Sequence, residues 1–116
     1  MSETYDLFQQ GRAHLRKGMA AQATVSLEKA KRREPEKASI REALAIAYFR
    51  MQRYKEAESE FRAMVELSPA DDYAHYGLGR ALEKLGRKAE ARGHYKLASS
   101  LRPSSEHYAS RIRGTE

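Results

Sequence analysis

No cysteine occurs in the chain of 116 residues, which excludes a disulfide, a thiolate metal site and a cysteine nucleophile. Long apolar runs are missing too, and none approaches the roughly 20 residues that a membrane-spanning helix needs. The opening MSETYDLFQQGRAH carries acids and polar groups where a secretory leader needs a basic and then an apolar run. A soluble, cytoplasmic chain with no membrane partner is expected. Motifs that carry chemistry are equally absent: there is no H-E-x-x-H, no G-x-S-x-G and no phosphate-cradling glycine loop. Gly77-x-Gly79 is expected inside a helix, where it thins the packing surface. His14, His75, His94 and His107 bring no third or fourth ligand that would complete a metal site. His14 is expected on a packed face, and His75 in a cap or salt bridge with Asp71 or Asp72. No enzyme, no cofactor and no metal are expected.

Proline is scarce, and its three places organise the chain. Pro35, Pro69 and Pro103 stand 34 residues apart. Ala23, Ala57 and Ala91 keep that interval, and so do Leu27, Phe61 and Tyr95, four residues after each. Gly11, Ala45 and Gly79 are a set of small residues; Gln10, Leu44 and Leu78 are another, with Gln10 its odd member. A small residue recurs where two helices touch, and a bulky one recurs to fill the space. The stretch from Arg41 to Pro69, REALAIAYFRMQRYKEAESEFRAMVELSP, shows the unit most plainly. Leu44, Ala45, Tyr48 and Phe49, then Ala57, Phe61, Met64 and Val65, fall at spacings of three and four, the period of helices with one buried face.

The run Leu78-Gly79, Ala91, Tyr95, Pro103 resembles the tetratricopeptide repeat, a helix-turn-helix unit of 34 residues. The resemblance implies an all-α fold, a right-handed α-solenoid of three such repeats, with a C-terminal capping helix. It places the repeats at 4–37, 38–71 and 72–105 and the cap at about 105–113, one domain over 1–116. His75 replaces the aromatic expected before Leu78, with Leu7 and Arg41 at its equivalents; His14 and Leu82 stand where Tyr48 keeps the expected tyrosine. Repeats bury their apolar faces only against neighbours, so three are near the lower limit for independent stability.

Helix ends are legible. Ser2 is a good N-cap and Gly18 a good stop. Further helices are expected over Ala20–Arg33, Lys37–Met51, Tyr54–Leu67, Asp71 or Asp72 to Gly86, and Arg87–Leu101, with each proline after a helix. Ser104-Ser105-Glu106 opens the cap, which sets Tyr108 and Ile112 against repeat three. His107, Ser110, Arg111 and Arg113 are expected on its solvated outer face. An array that carries its own cap is expected to be a stand-alone protein.

Charge is uneven. The net charge is +6, with +4 in repeat one, −1 in repeat two and +4 in repeat three. That balance favours anionic partners. Most charged residues, including Glu56, Glu58, Glu60 and Arg62, are read as solvating helix faces.

In the resembled family the first helices of successive pairs line a concave groove, where partner peptides lie. The resemblance then assigns Tyr5, Phe8, Arg12, Leu15 and Arg16 to the groove from repeat one. Repeat two gives Ser39, Glu42, Ile46, Phe49 and Arg50; repeat three gives Tyr73, Tyr76, Arg80, Glu83 and Lys84. Five rings and four arginines on one hollow surface exceed what a core needs, and Tyr and Arg are enriched at binding hot spots. The competing reading is that Tyr5 and Phe8 pack on the next helix and Tyr73 covers a turn. A Lys-Asn-Asn-Lys-Arg clamp grips chaperone C-terminal tails in one subgroup. Phe8, Arg12, Ala43, Tyr73 and Gly77 occupy its places here, so a chaperone tail is not the expected partner. An acidic peptide with apolar or aromatic residues is the first reading. Nucleic acid on the Arg/Tyr surface ranks second, and self-association as a homo-oligomer is a third possibility.

Overall fold

Every stop between the paired helices is made by one residue in the left-handed region, and the three recur at the repeat interval. Gly18 has φ +74°, Gln52 φ +60° and Gly86 φ +80°. After each, an N–H reaches back to a carbonyl of the last turn: Met19 to His14, Arg53 to Tyr48, Arg87 to Leu82, at 2.8–2.9 Å. Those bonds satisfy carbonyls that a helix end leaves free. The structure is a computed structural model that describes residues 2–116. Its helices are α1 (Glu3–Arg16), α2 (Ala20–Arg33), α3 (Ala38–Arg50), α4 (Tyr54–Leu67), α5 (Asp72–Lys84), α6 (Lys88–Leu101) and α7 (Glu106–Gly114). No strand occurs among the described residues.

Helix starts keep the frame at Lys37, Asp71 and Ser105, with Ser2 one residue ahead of it. Ser2, Asp71 and Ser105 each accept a hydrogen bond from the backbone N–H three residues on. Lys37, at the equivalent place before α3, makes no such bond. Consecutive helices pack as antiparallel neighbours into a body of 45 × 25 × 20 Å. The small and bulky sets meet as expected. A Cβ on Gly11 would lie 2.4 Å from Leu27, and one on Gly79 would lie 2.6 Å from Tyr95. One on Gly77 would lie 2.1 Å from Phe61, which therefore reaches from α4 under the next repeat's α5. Leu27, Phe61 and Tyr95 are buried.

The acids of α4 depart from the expected solvated face. Glu60 is buried, and its two carboxylate oxygens are each 2.9 Å from a cation, Lys31 Nζ and Arg41 Nη1. Lys31 also pairs with Glu28, which accepts from the Tyr48 hydroxyl. Glu58 sits between Arg62 and Arg87, both of which also reach Glu90. These residues bridge α2, α3, α4 and α6, and every buried oxygen of Glu60 has a partner, as burial of charge demands. Helical period sets Glu60 on the buried stripe with Ala57, Phe61 and Met64, but it cannot show which cations of neighbouring helices neutralise it.

His75 also departs from expectation. It pairs with neither Asp71 nor Asp72. Its Nε2 lies 2.8 Å from the Pro69 carbonyl and its Nδ1 3.1 Å from His94 Nδ1. Asp71 instead caps the Ala74 N–H, and Asp72 accepts from the Tyr108 hydroxyl at 2.6 Å. His14 is half-buried, and its Nδ1 has no hydrogen-bond partner.

Candidate functional site

Helices α1, α3 and α5 are the first members of their pairs, and their side chains line one trough. Four adjoining cavities follow it from end to end. The first, about 590 Å³, holds Tyr5 and Phe8 with Ser39 and Ile40. The next, about 360 Å³, shares Phe8 and Ser39 and adds Arg12, Leu15, Arg16, Glu42, Ile46 and Arg50. A third, about 240 Å³, shares Ile46 and Arg50; its remaining walls are Phe49, Tyr73, Tyr76 and Arg80, over a floor of Phe61 and Gly77. The last, about 290 Å³, is lined by Arg80, Glu83, Lys84 and Arg111. All eleven residues singled out from the sequence, Tyr5, Phe8, Arg12, Arg16, Ile46, Phe49, Arg50, Tyr73, Tyr76, Arg80 and Lys84, line one or more of these cavities.

The rings divide between packing and exposure. Tyr5 is 55% exposed, whereas Phe8 is half-buried against the first-repeat core. Phe49 meets Tyr54 edge-on at 5.1 Å, and Tyr73 lies 6.3 Å from Phe61 and 6.1 Å from Tyr76. Burial, aided by the Glu42 charge, pushes the Tyr73 hydroxyl up from its ordinary pKa, so it stays a neutral donor. Glu42 is likewise raised, first by burial and then by Asp71, with Arg12 opposing.

The trough's cations form no ion pair among the described residues, although Glu42 and Glu83 line the same cavities. Arg12 lies over the Phe8 ring at 5.5 Å and Arg80 over Phe49 at 5.2 Å, both within cation–π range. Arg80 Nη1 donates to the Tyr76 hydroxyl at 3.3 Å, and Arg50 Nη1 to the Leu15 carbonyl at 3.0 Å. Of the 14 arginines, eight form ion pairs with carboxylates: Arg33, Arg41, Arg53, Arg62, Arg87, Arg92, Arg102 and Arg113. Six form none among the described residues, and five of these, Arg12, Arg16, Arg50, Arg80 and Arg111, line the trough.

Two residues of α7 reach the end of the trough: Arg111 departs from the expected solvated face, whereas His107 stays exposed as expected while contacting Tyr76. His107 Nε2 is 2.9 Å from the Tyr76 hydroxyl, and its ring lies 5.0 Å from that of Tyr76. Arg111 lines the last cavity. The signal was present in the sequence. Extending the 34-residue frame one step puts His107 in line with Tyr5, Ser39 and Tyr73, and Ile112 in line with Leu44 and Leu78. By register α7 is therefore a further first helix. Among the described residues, no group of three His, Cys, Asp or Glu side chains could hold a metal ion. Among the described residues no helix is long and apolar enough to cross a membrane.

The sequence pattern described as "Tetratricopeptide repeat" matches residues 8–72 and again 43–106. Superkiller complex protein 3 of Mus musculus is 30% identical over 104 residues. That match takes in 90% of this chain but only 6% of the mouse protein's length. Among solved structures, the first TPR of Spaghetti (RPAP3) bound to the HSP90 peptide SRMEEVD superposes with a TM-score of 0.92 at 23% identity. The overlap covers 97% of this chain and 90% of that one. MamA (AMB-1) is 27% identical with a TM-score of 0.86, over 94% of this chain and 60% of that one.

Proposed function

Because the chain belongs to the tetratricopeptide repeat family, we propose that it is a cytoplasmic protein–protein interaction module. Its three repeats and α7 act as one domain whose trough receives an acidic peptide segment bearing an apolar or aromatic residue. One observation carries this reading. The arginines outside the trough are almost all paired with the chain's own carboxylates, while those inside it are not. A guanidinium held by stacking but lacking a carboxylate keeps its paired N–H donors for one supplied from outside. The cavity between Phe49 and Tyr73 supplies the apolar contact beside them.

The Spaghetti domain carries an HSP90 peptide whose acids stand at its end. Tail capture of that kind is not proposed for this chain. Ala43 and Gly77, at two of the five clamp positions, have no side-chain donor, and Phe61 presses against Gly77 where a longer side chain would have to start. The proposed role is binding, as the family's fold supports.

Affinity capture from the host with wild type and an Arg50→Glu/Arg80→Glu variant tests the reading. The proposal expects a partner that is retained by wild type, lost by the variant and unaffected by Lys55→Glu on α4. Retention of the same partners by the double variant would place binding on another face.

A further inference from the structure

We infer that α7 is a working wall of the groove, and that Arg111 on α7 joins Arg80 and Lys84 on α5 in holding the acidic end of the bound segment. This rests on the peptide-binding reading above and adds the place of one acidic cluster of the ligand.

The register gives the first argument. A capping helix has only to cover the last repeat, and Tyr108 and Ile112 do that against the core of repeat three. The 34-residue frame nevertheless sets α7 as a continuation of the α1, α3, α5 series. It therefore turns His107 toward Tyr76, and Arg111 into the cavity with Arg80, Glu83 and Lys84.

Charge gives the second. Three cations and one acid line that cavity. The acid, Glu83, is already engaged, with its Oε1 accepting from the buried Tyr95 hydroxyl at 2.6 Å. Arg80, Lys84 and Arg111 have no carboxylate partner among the described residues. The contrast within α7 is direct: Arg113, two residues after Arg111, pairs with Glu106 and lies exposed.

Pre-setting gives the third. Tyr76 contacts both His107 and Arg80, and Arg80 stacks on Phe49. The guanidinium is thus fixed at the boundary between the apolar cavity and the cationic one. A large apolar side chain in the 240 Å³ cavity would have its neighbouring acids beside Arg80, Lys84 and Arg111. Glu42 and Glu83 also line the trough, which disfavours a continuous phosphate backbone. A peptide with spaced acids avoids them.

A phage-displayed library of random 12-residue peptides panned on the full chain tests this. Enriched peptides should carry a large apolar residue next to two or more acids. A synthetic copy of the most enriched one should bind Arg111→Glu and Arg111→Gln at least 10-fold more weakly than wild type, and Arg111→Lys within about 3-fold. Arg113→Glu should leave its affinity unchanged, and melting curves should show every variant folded. Loss of binding with Arg50→Glu but not with Arg111→Glu would overturn the role of α7 and leave the groove reading intact. Enrichment of no acidic peptide, or binding indifferent to both sites, would overturn the groove reading itself. Tighter binding of a 20-nucleotide single-stranded RNA than of any selected peptide would overturn both.

Discussion

His75 and His94 stack with ring centroids 5.4 Å apart and their Nδ1 atoms 3.1 Å apart. They stand 34 residues after Arg41 and Glu60, which form an ion pair at 2.9 Å in the middle repeat. The likeness extends to the backbone, because Arg41 Nε donates to the Pro35 carbonyl and His75 Nε2 meets the Pro69 carbonyl. One repeat thus ties its two helices with a salt bridge and the next with a pair of imidazoles. The carbonyl of Pro69 can only accept, so His75 Nε2 carries the proton. In the neutral ring His75 Nδ1 then accepts, and His94 Nδ1–H donates to it.

Acid should loosen this tie. Burial holds His94 below its ordinary value of 6.5, helped by the His75 and Arg62 charges and opposed by Glu90. The unfolded chain therefore takes up the proton first as the pH falls. The contribution is fully present above 6.5 and is lost progressively as pH drops from there through the depressed folded value. Urea melts at pH 7.5 and 5.5 should show lower stability in acid, with a slope from this group of at most about 1.4 kcal/mol per pH unit. His94→Gln should flatten the slope. An unchanged slope in that variant would assign the acid sensitivity to other groups.

Phe61 and Gly77 make a second pair with a measurable consequence. Gly77→Ala sets a methyl against the Phe61 ring at 2.1 Å, an overpacking that should cost about 1–3 kcal/mol. Phe61→Ala should cost about 3–5 kcal/mol, as a large buried aromatic does. Tyr108→Ala, which loses contacts to one neighbouring repeat, should cost less. Phe61→Leu in the Gly77→Ala background should recover part of the loss, so a double-mutant cycle should show the two sites coupled. Additive effects would mean that α5 moves aside rather than pressing on the ring.

Two positions break the repeat's own rules and should be improvable. Gln52 is the non-glycine among the three left-handed stops, and such a conformation costs a side-chain-bearing residue roughly 1–2 kcal/mol. Gln52→Gly should therefore stabilise by about 0.5–1 kcal/mol after the entropy of the more flexible unfolded chain is counted. Lys37 starts α3 without a side-chain cap, where Asp71 and Ser105 supply one. Lys37→Asp should add about 1 kcal/mol. Thermal melts of the two single variants and their combination check both, and distance between the sites predicts additivity.

The repeat interval made the fold legible, because a 34-residue spacing of small, bulky and proline positions leaves few other architectures. Helix bounds followed from Ser2, Gly18, Asp71, Gly86 and Ser105, whose local chemistry decides where a helix can start or stop. The side-chain networks were not legible. Glu60 falls on the buried stripe of α4 with Ala57, Phe61 and Met64, yet its charge reads as solvated, and only the arrival of Lys31 and Arg41 from two other helices makes its burial tolerable. The His75–His94 contact likewise joins two helices and has no local signature. Arg111 is hidden for a different reason: a terminal helix reads as an end to the array, and only the 34-residue frame extended into α7 points to its place at the groove.

The groove argument makes the last prediction. Arg12 and Arg80 stand two intervals apart with Ile46 between them, and all three line adjoining cavities. A segment with acids at both ends and an apolar residue in its middle would engage all three. Arg12→Glu and Arg80→Glu should each weaken binding of the captured partner by about 2 kcal/mol or more, since reversal removes one attraction and adds one repulsion. Arg80→Glu should be the larger effect, because it also gives up the Tyr76 bond and the stacking on Phe49. Ile46→Ser should cost less than either. Glu58 is unsuitable for a control on the far side, since Arg62 and Arg87 both depend on it. Lys55 serves better, being exposed and unpaired among the described residues. Lys55→Glu should leave titration calorimetry unchanged. If Lys55→Glu alone weakened the partner while the Arg12, Ile46 and Arg80 variants bound normally, the contact surface would lie on the second helices.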